Sequence, residues 1–266
     1  MNRRNALKLI AGLALCPACA PSGFAAEWSY DGAHGPDHWG DVDAASKVCG
    51  VGNQQSPIDI AGSMRASLPR LGFAWKKSAD TIVNNGHTIQ LNVAGGSTLK
   101  IGNDAYKLVQ FHFHRPSEHT IAGKSFPMEV HFVHQAPSGA LGVVGVLMTA
   151  GRANPAFARI VATMPQSTGP AVKADARIDP NALLPAGHSY YGYAGSLTTP
   201  PCSEVVSWML LTSPITVAAA DIDAFAKLYP MNARPVQKVN RRYVLRSQVA
   251  PSPRAAAAGA GTTPAQ

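Results

Sequence analysis

Apolar and polar residues alternate in short runs over most of this chain, the period of β-strands with one buried face. Candidate strands cover Phe73–Lys76, Thr81–Asn84, His87–Val93, Tyr106–His114, Met128–Gln135, Leu141–Met148 and Val205–Leu211, with Gly, Asn, Pro and Ser between them. Helical spacing is confined to two places. Asn154-Pro155 is a cap followed by proline at the first helical position, and Phe157, Ile160, Val161 and Met164 then recur on one side until Pro165. Thr216 to Tyr229 puts Ile222, Phe225 and Tyr229 on one side and stops at Pro230. Strands dominate without regular β-α-β alternation, which argues against a doubly wound parallel sheet.

The alternation carries histidines at positions where it usually carries valine. His112 and His114 lie two apart in Gln110-Phe111-His112-Phe113-His114 and so face the same side of a strand. His131, in Glu129-Val130-His131, can reach the same point from a neighbouring strand. Three imidazoles with one position left open are the donor set of catalytic rather than structural zinc, which is usually closed by four ligands. Gln110 and Glu129 each stand two before a candidate ligand, placed to accept the second ring N–H and fix the tautomer.

Around these residues the chain resembles the α-class carbonic anhydrases. The segments that carry the resemblance are Gln110 to His114, Pro116 to Thr120, Glu129 to His134 and Ser196 to Pro201. His34 to Trp39, Gln55 to Asp59, Asn84 to His87 and Met231 to Pro235 add to it, so the likeness runs from about Trp28 to about Val249. It implies a mainly β (α+β) single domain around a large twisted, mostly antiparallel central sheet with peripheral short helices. It also implies zinc-dependent reversible hydration of carbon dioxide to bicarbonate and a proton, through zinc-bound hydroxide and histidine-mediated proton shuttling. Lowering the pKa of zinc-bound water to near neutrality is the effect for which carbonic anhydrases are themselves the type case.

Carried over residue by residue, the resemblance makes His112, His114 and His131 the ligands of one zinc ion per chain. Thr198 accepts a hydrogen bond from the nucleophile and donates its own to Glu118, while Thr199 lines the same pocket. Val133, Val143, Leu197, Val206 and Trp208 match the apolar wall for carbon dioxide, and His87 the proton shuttle, with Tyr30 and Asn85 along its water path. Asn240 resembles the residue whose backbone carbonyl supports His114. For His119, His134 and His188 structural roles are expected, and His34 and His38 add buffering or belong to a structural turn. The loop Arg115-Pro116-Ser117-Glu118 is shorter than in the animal enzymes and like the bacterial ones. Two other classes share the fold or the chemistry: a zinc-containing binding module without turnover, and a broader ester hydrolase.

Composition bears mainly on compartment and partners. Residues 1–25 read as a secretion signal: a basic start with Arg3, Arg4 and Lys8, an apolar run from Leu9 to Leu15, and small residues at Gly23-Phe24-Ala25. The run is too short to span a bilayer; the arginine pair fits a twin-arginine signal as well as an ordinary one. Removing that segment takes the formal net charge from +8 to +5, twenty basic against fifteen acidic residues. Lys238, Arg241, Arg242 and Arg246 form the one dense basic group, with no nucleic-acid motif beside them. Of four cysteines, Cys16 and Cys19 leave with the signal, and Cys49 and Cys202 remain as an even pair favouring one disulfide in an exported protein. The expected organisation is a catalytic domain over 26–250 and a disordered tail over 251–266, rich in Ala, Gly, Pro and Thr. The expected partners are carbon dioxide and bicarbonate, with no nucleic acid and no stable membrane anchor, in a periplasmic or secreted monomer or dimer.

Overall fold

A computed structural model describes residues 28–248. The expected signal and tail lie outside them. The alternating runs assemble into one large, mixed and mostly antiparallel sheet with few helices. Its middle is the antiparallel pair Asp104–His114 and Met128–Gln135, continued by Leu141–Ala150. Outward on one side come Ile89–Asn92 and Thr81–Asn84; on the other come Val206–Leu211, Tyr190–Gly195, Leu245–Ser247 and Met64–Ala66. Leu141–Ala150 runs parallel to Val206–Leu211 and, further along, to Ile215–Val217.

Strand parity divides the apolar residues between two cores. Phe111, Phe113, Val130, Phe132, Val144 and Val146 face one side, where they meet Phe157 and Ile160 of the helix Pro155–Thr163 and Ile222 and Phe225 of the helix Ala219–Ala226. All five of these phenylalanines are fully buried, and truncating one to alanine would cost about 3–5 kcal/mol. The opposite side gathers Val143, Leu147, Tyr193, Val206, Trp208 and Leu210. Cys49 and Cys202 are joined by a disulfide across 153 residues and share a third, smaller cluster with Trp28, Tyr30 and Trp39. In the chain-entropy account a loop that long contributes about 5 kcal/mol.

Element ends depart from the pattern where side chains compete with the backbone ladder. The strand read from His87 begins only at Ile89, because the Asn85 carboxamide accepts from the His87 and Thr88 amides and turns the chain there. Asn154 caps its helix as expected, accepting from the amides of Ala156 and Phe157. The second helix is shorter than Thr216–Tyr229 because Thr216 is taken up in the strand Ile215–Val217. Tyr190–Gly195, whose two glycines interrupt its alternation, is a strand absent from the sequence reading.

Candidate functional site

Register brings the three histidines together. His112 sits directly opposite His131 in the antiparallel pair, and His114 lies two further along on the same face. Ring centroids are 5.0 Å apart for His112 and His114, 5.4 Å for His112 and His131, and 4.5 Å for His114 and His131. One nitrogen from each lies within 4.8 Å of the other two. The second nitrogen of every ring is committed. His112 Nδ1 donates to Gln110 Oε1 at 2.8 Å, and an amide oxygen can only accept, so Nε2 keeps its lone pair. His131 Nε2 donates to Glu129 Oε1 at 2.8 Å, which leaves Nδ1 as donor to a metal. His114 Nδ1 donates to a backbone carbonyl at 2.8 Å, and its Nε2 is buried without any hydrogen-bond partner.

That carbonyl belongs to Asn232, not Asn240. Asn240 lies at the surface and its side chain donates to the Asn53 carbonyl. Asn232 is fully buried, with its Oδ1 accepting from the Arg115 amide at 2.7 Å and its Nδ2 donating to the carbonyls of Phe113 and His87 at 2.9 Å. It ties the end of the ligand strand to the His87 turn. A carbonyl contact has no side-chain signature, but Asn232 stands within the Met231–Pro235 motif, which was the available signal.

Burial keeps the ligand set neutral, as metal binding requires. It pushes His114 down to about 4, His112 well below the usual histidine range, and His131 down despite the Glu129 charge beside it. For Glu129 burial works the other way, but His119 and His131 together hold its carboxyl well below the usual range. Its Oε1 accepts from His131 and from His119 Nδ1, both at 2.8 Å, and its Oε2 from the amides of Glu118 and His119. His119, Glu129 and His131 are therefore occupied with one another and offer no second metal cage. His119 Nε2 rests 2.7 Å from the Tyr193 hydroxyl, in line with a structural role. Gly145, unremarked in the sequence, is opposite His131, where a Cβ would come within 2.9 Å of Glu129 Oε1 and of a Leu210 methyl.

Of the other expected residues, Trp208 packs edge-on against His131, with 4.8 Å between ring centroids. Glu118 is buried, with Oε1 accepting from the Arg234 amide at 2.8 Å and Oε2 lying 3.8 Å from His131 Nδ1. Burial raises its pKa to about 7 against the pull of His131, the neighbouring Thr198 side chain and the Arg234 amide. Oε2 is buried without a hydrogen-bond partner among the described residues. Thr198 itself is buried and Thr199 half-buried; the Thr199 carbonyl accepts from the Cys202 amide, closing the loop. Val133, Val143, Leu197, Val206 and Trp208 form part of one apolar cluster, and Trp208 also donates to the Ser196 carbonyl at 2.9 Å. The His87 ring stacks on Trp28 at 3.7 Å, with Asn85 shaping its turn. Tyr30 adjoins Trp28 and Trp39, and burial followed by the Glu118 charge pushes its phenol well up.

Known proteins are similar in sequence and fold over nearly all described residues. The family model for eukaryotic-type carbonic anhydrase matches residues 34–248. A carbonic anhydrase of Pectobacterium atrosepticum is 40% identical over 219 residues, 82% of this chain and 90% of that one. One from Nostoc is 38% identical over 257 residues, 92% of this chain and 97% of that one. The solved structure of the α-carbonic anhydrase from Thermovibrio ammonificans with the inhibitor sulfanilamide superimposes with a TM-score of 0.81 at 42% identity, covering 83% of this chain and 99% of that one.

Proposed function

Because the chain belongs to the eukaryotic-type, or α-class, carbonic anhydrase family, whose reaction is carbon dioxide hydration, we propose that it runs this reaction with one zinc ion held by His112, His114 and His131. The observation that carries the reading is the buried, partnerless Nε2 of His114, converging with one free nitrogen each from His112 and His131. Leaving such a nitrogen unsatisfied in the interior costs about 1–3 kcal/mol, a penalty a ligand would remove. Neutral nitrogens from histidine suit zinc, and no thiolate or carboxylate competes in the set. When bound there, zinc supplies Lewis acidity that makes water a nucleophile near neutral pH.

The protein groups do the rest. Glu118 takes the Thr198 hydroxyl proton in a hydrogen bond, which leaves Thr198 Oγ able only to accept. An attacking oxygen that donates to Thr198 then turns a lone pair toward the niche of Val133, Val143, Leu197, Val206 and Trp208. That apolar wall suits a small, weakly hydrated electrophile such as carbon dioxide, and Thr199 lines its edge. His87 carries the released proton outward past Tyr30 and Asn85, since histidine is the side chain that titrates near the working pH. The domain over 26–250 acts after export, with 1–25 removed. The disulfide accords with an oxidising compartment, and among the described residues no helix is long and apolar enough to cross a membrane.

The test is a stopped-flow assay with a pH indicator on metal-stripped protein reloaded with counted zinc. Hydration should rise in proportion to zinc up to one equivalent. Protein loaded with one zinc per chain that hydrates carbon dioxide no faster than buffer would refute the reading.

A further inference from the structure

Arg234 is 2% exposed and forms no ion pair among the described residues. A guanidinium so enclosed is costly unless its donors are used; three of its five N–H groups reach acceptors, while Nε is buried without a partner among the described residues. Nη1 donates to Gln55 Oε1 and to the Ser56 carbonyl, both at 2.8 Å, and Nη2 to the Cys49 carbonyl at 3.0 Å. The plane rests over Trp39, 5.5 Å from the ring centroid. The residue therefore grips the stretch 49–56 at three points.

That stretch in turn holds both ends of the loop that carries Thr198. At the near end Ser56 N donates to Ser196 Oγ at 2.9 Å and Ser196 N to Ser56 Oγ at 3.1 Å. At the far end Gln55 Nε2 donates to the Cys202 carbonyl at 3.1 Å, and Cys49 is bonded to Cys202. Meanwhile the amide of Arg234 itself donates to Glu118 Oε1 at 2.8 Å, committing that oxygen and leaving Oε2 for the Thr198 side. One residue thus holds the carboxylate with its backbone and the platform of the hydroxyl with its side chain.

The geometry points to Arg234 as a positioning residue for the reaction, which sets the separation and angle between the Glu118 carboxylate and the Thr198 hydroxyl. The inference rests on the roles proposed above for those two groups. Lysine cannot replace it fully, because one ammonium on a flexible stem does not span the fixed fork of acceptors that a guanidinium does.

The experiment is a double-mutant cycle on the full, zinc-loaded chain: Arg234→Met and Arg234→Lys, each alone and combined with Glu118→Gln. Arg234→Met should lower kcat/KM for hydration by about 10- to 100-fold at one zinc per chain, the scale of a misplaced catalytic group. Arg234→Lys should lower it less. In the Glu118→Gln background the further loss should shrink to about twofold or less, since the relation being set no longer exists. Equal factors in both backgrounds would mean a merely structural role and overturn the inference. A Glu118→Gln protein as fast as wild type would instead overturn the reading of the site, and Arg234's role with it. Where Arg234→Met does not fold, Arg234→Lys carries the cycle. A readout independent of activity is amide exchange in the zinc-free protein. In either variant Ser196 and Leu197 should exchange faster while Val130 and Phe132 keep their protection; unchanged exchange at Ser196 and Leu197 contradicts the proposal.

Discussion

The strands that carry the three histidines and the loops around them build the same site by different means. On the strands, position follows from register: His112 opposite His131, His114 two residues on, Gln110 and Glu129 two residues before the histidines they bond. In the loops, position follows from side chains that capture backbone groups far away in sequence. Asn232 reaches Arg115, Phe113 and His87, and Arg234 reaches Cys49, Gln55 and Ser56. Strand geometry repeats every two residues and needs no partner to be inferred. Loop geometry is a set of particular contacts and carries no period.

The comparison predicts a gradient of effects. His131→Ala should be the most damaging, because it removes a ligand that register alone supplies. Its zinc affinity should fall by more than the roughly 10- to 100-fold expected of outer partners, and hydration should drop to background. Metal analysis after dialysis beside a stopped-flow assay checks this; full zinc retention would break the strand side of the comparison. Next comes Thr198→Ala, on the loop side, expected to lower kcat/KM by about 100-fold with zinc still at one per chain.

Gly145→Ala and Asn232→Ala act on the ligands' partners, one on the strands and one in a loop. The first pushes a methyl group against the Glu129 carboxylate, and the second removes the bonds that hold the His114 carbonyl partner in place. Each should speed zinc loss to a chelator by about tenfold or more, while Asn240→Ala leaves it unchanged. Equal rates for the two asparagine variants would undo the correction at His114. His87→Ala is milder, lowering kcat in weak buffer by about tenfold with partial rescue by imidazole. An undiminished rate there would remove it from the proton path.

The smallest effect concerns His134, on the Phe132 side of the fold's centre and away from the reaction. Burial holds its pKa at about 4 against 6.5 for the unfolded chain. The unfolded state therefore takes up a proton as pH falls through 6.5, whereas the folded state does not until about 4. Its contribution to stability is complete above 6.5 and declines between those values. Urea midpoints across pH 7 to 4 should fall less steeply for His134→Gln than for wild type; parallel curves would deny the effect.

How much was legible in the sequence follows the same division. Met128–Gln135 was read to its ends because Met128, Val130 and Phe132 alternate with polar residues and the turn residues Pro137, Ser138 and Gly139 close the run. The convergence of His112, His114 and His131 and the bonds of Gln110 and Glu129 to two of them followed from parity. Thr198, Glu118 and His87 were reached only through the resemblance, since nothing in their local pattern says which strands they approach. Asn232 and Gly145 were missed. One acts through a carbonyl, and the other through the side chain it lacks. The strand from Tyr190 escaped because Gly192 and Gly195 break its alternation. Gly195 has no room for a Cβ, which would lie 2.2 Å from Ser56 Oγ, a constraint set by a partner remote in sequence.

The most direct test of the register account is crystallographic, on zinc-loaded protein with anomalous data collected on either side of the zinc edge. One peak per chain is expected, at about 2.0–2.1 Å from His112 Nε2, His114 Nε2 and His131 Nδ1. A peak held through other nitrogens of these rings, or displaced to His119 and Glu129, would contradict it.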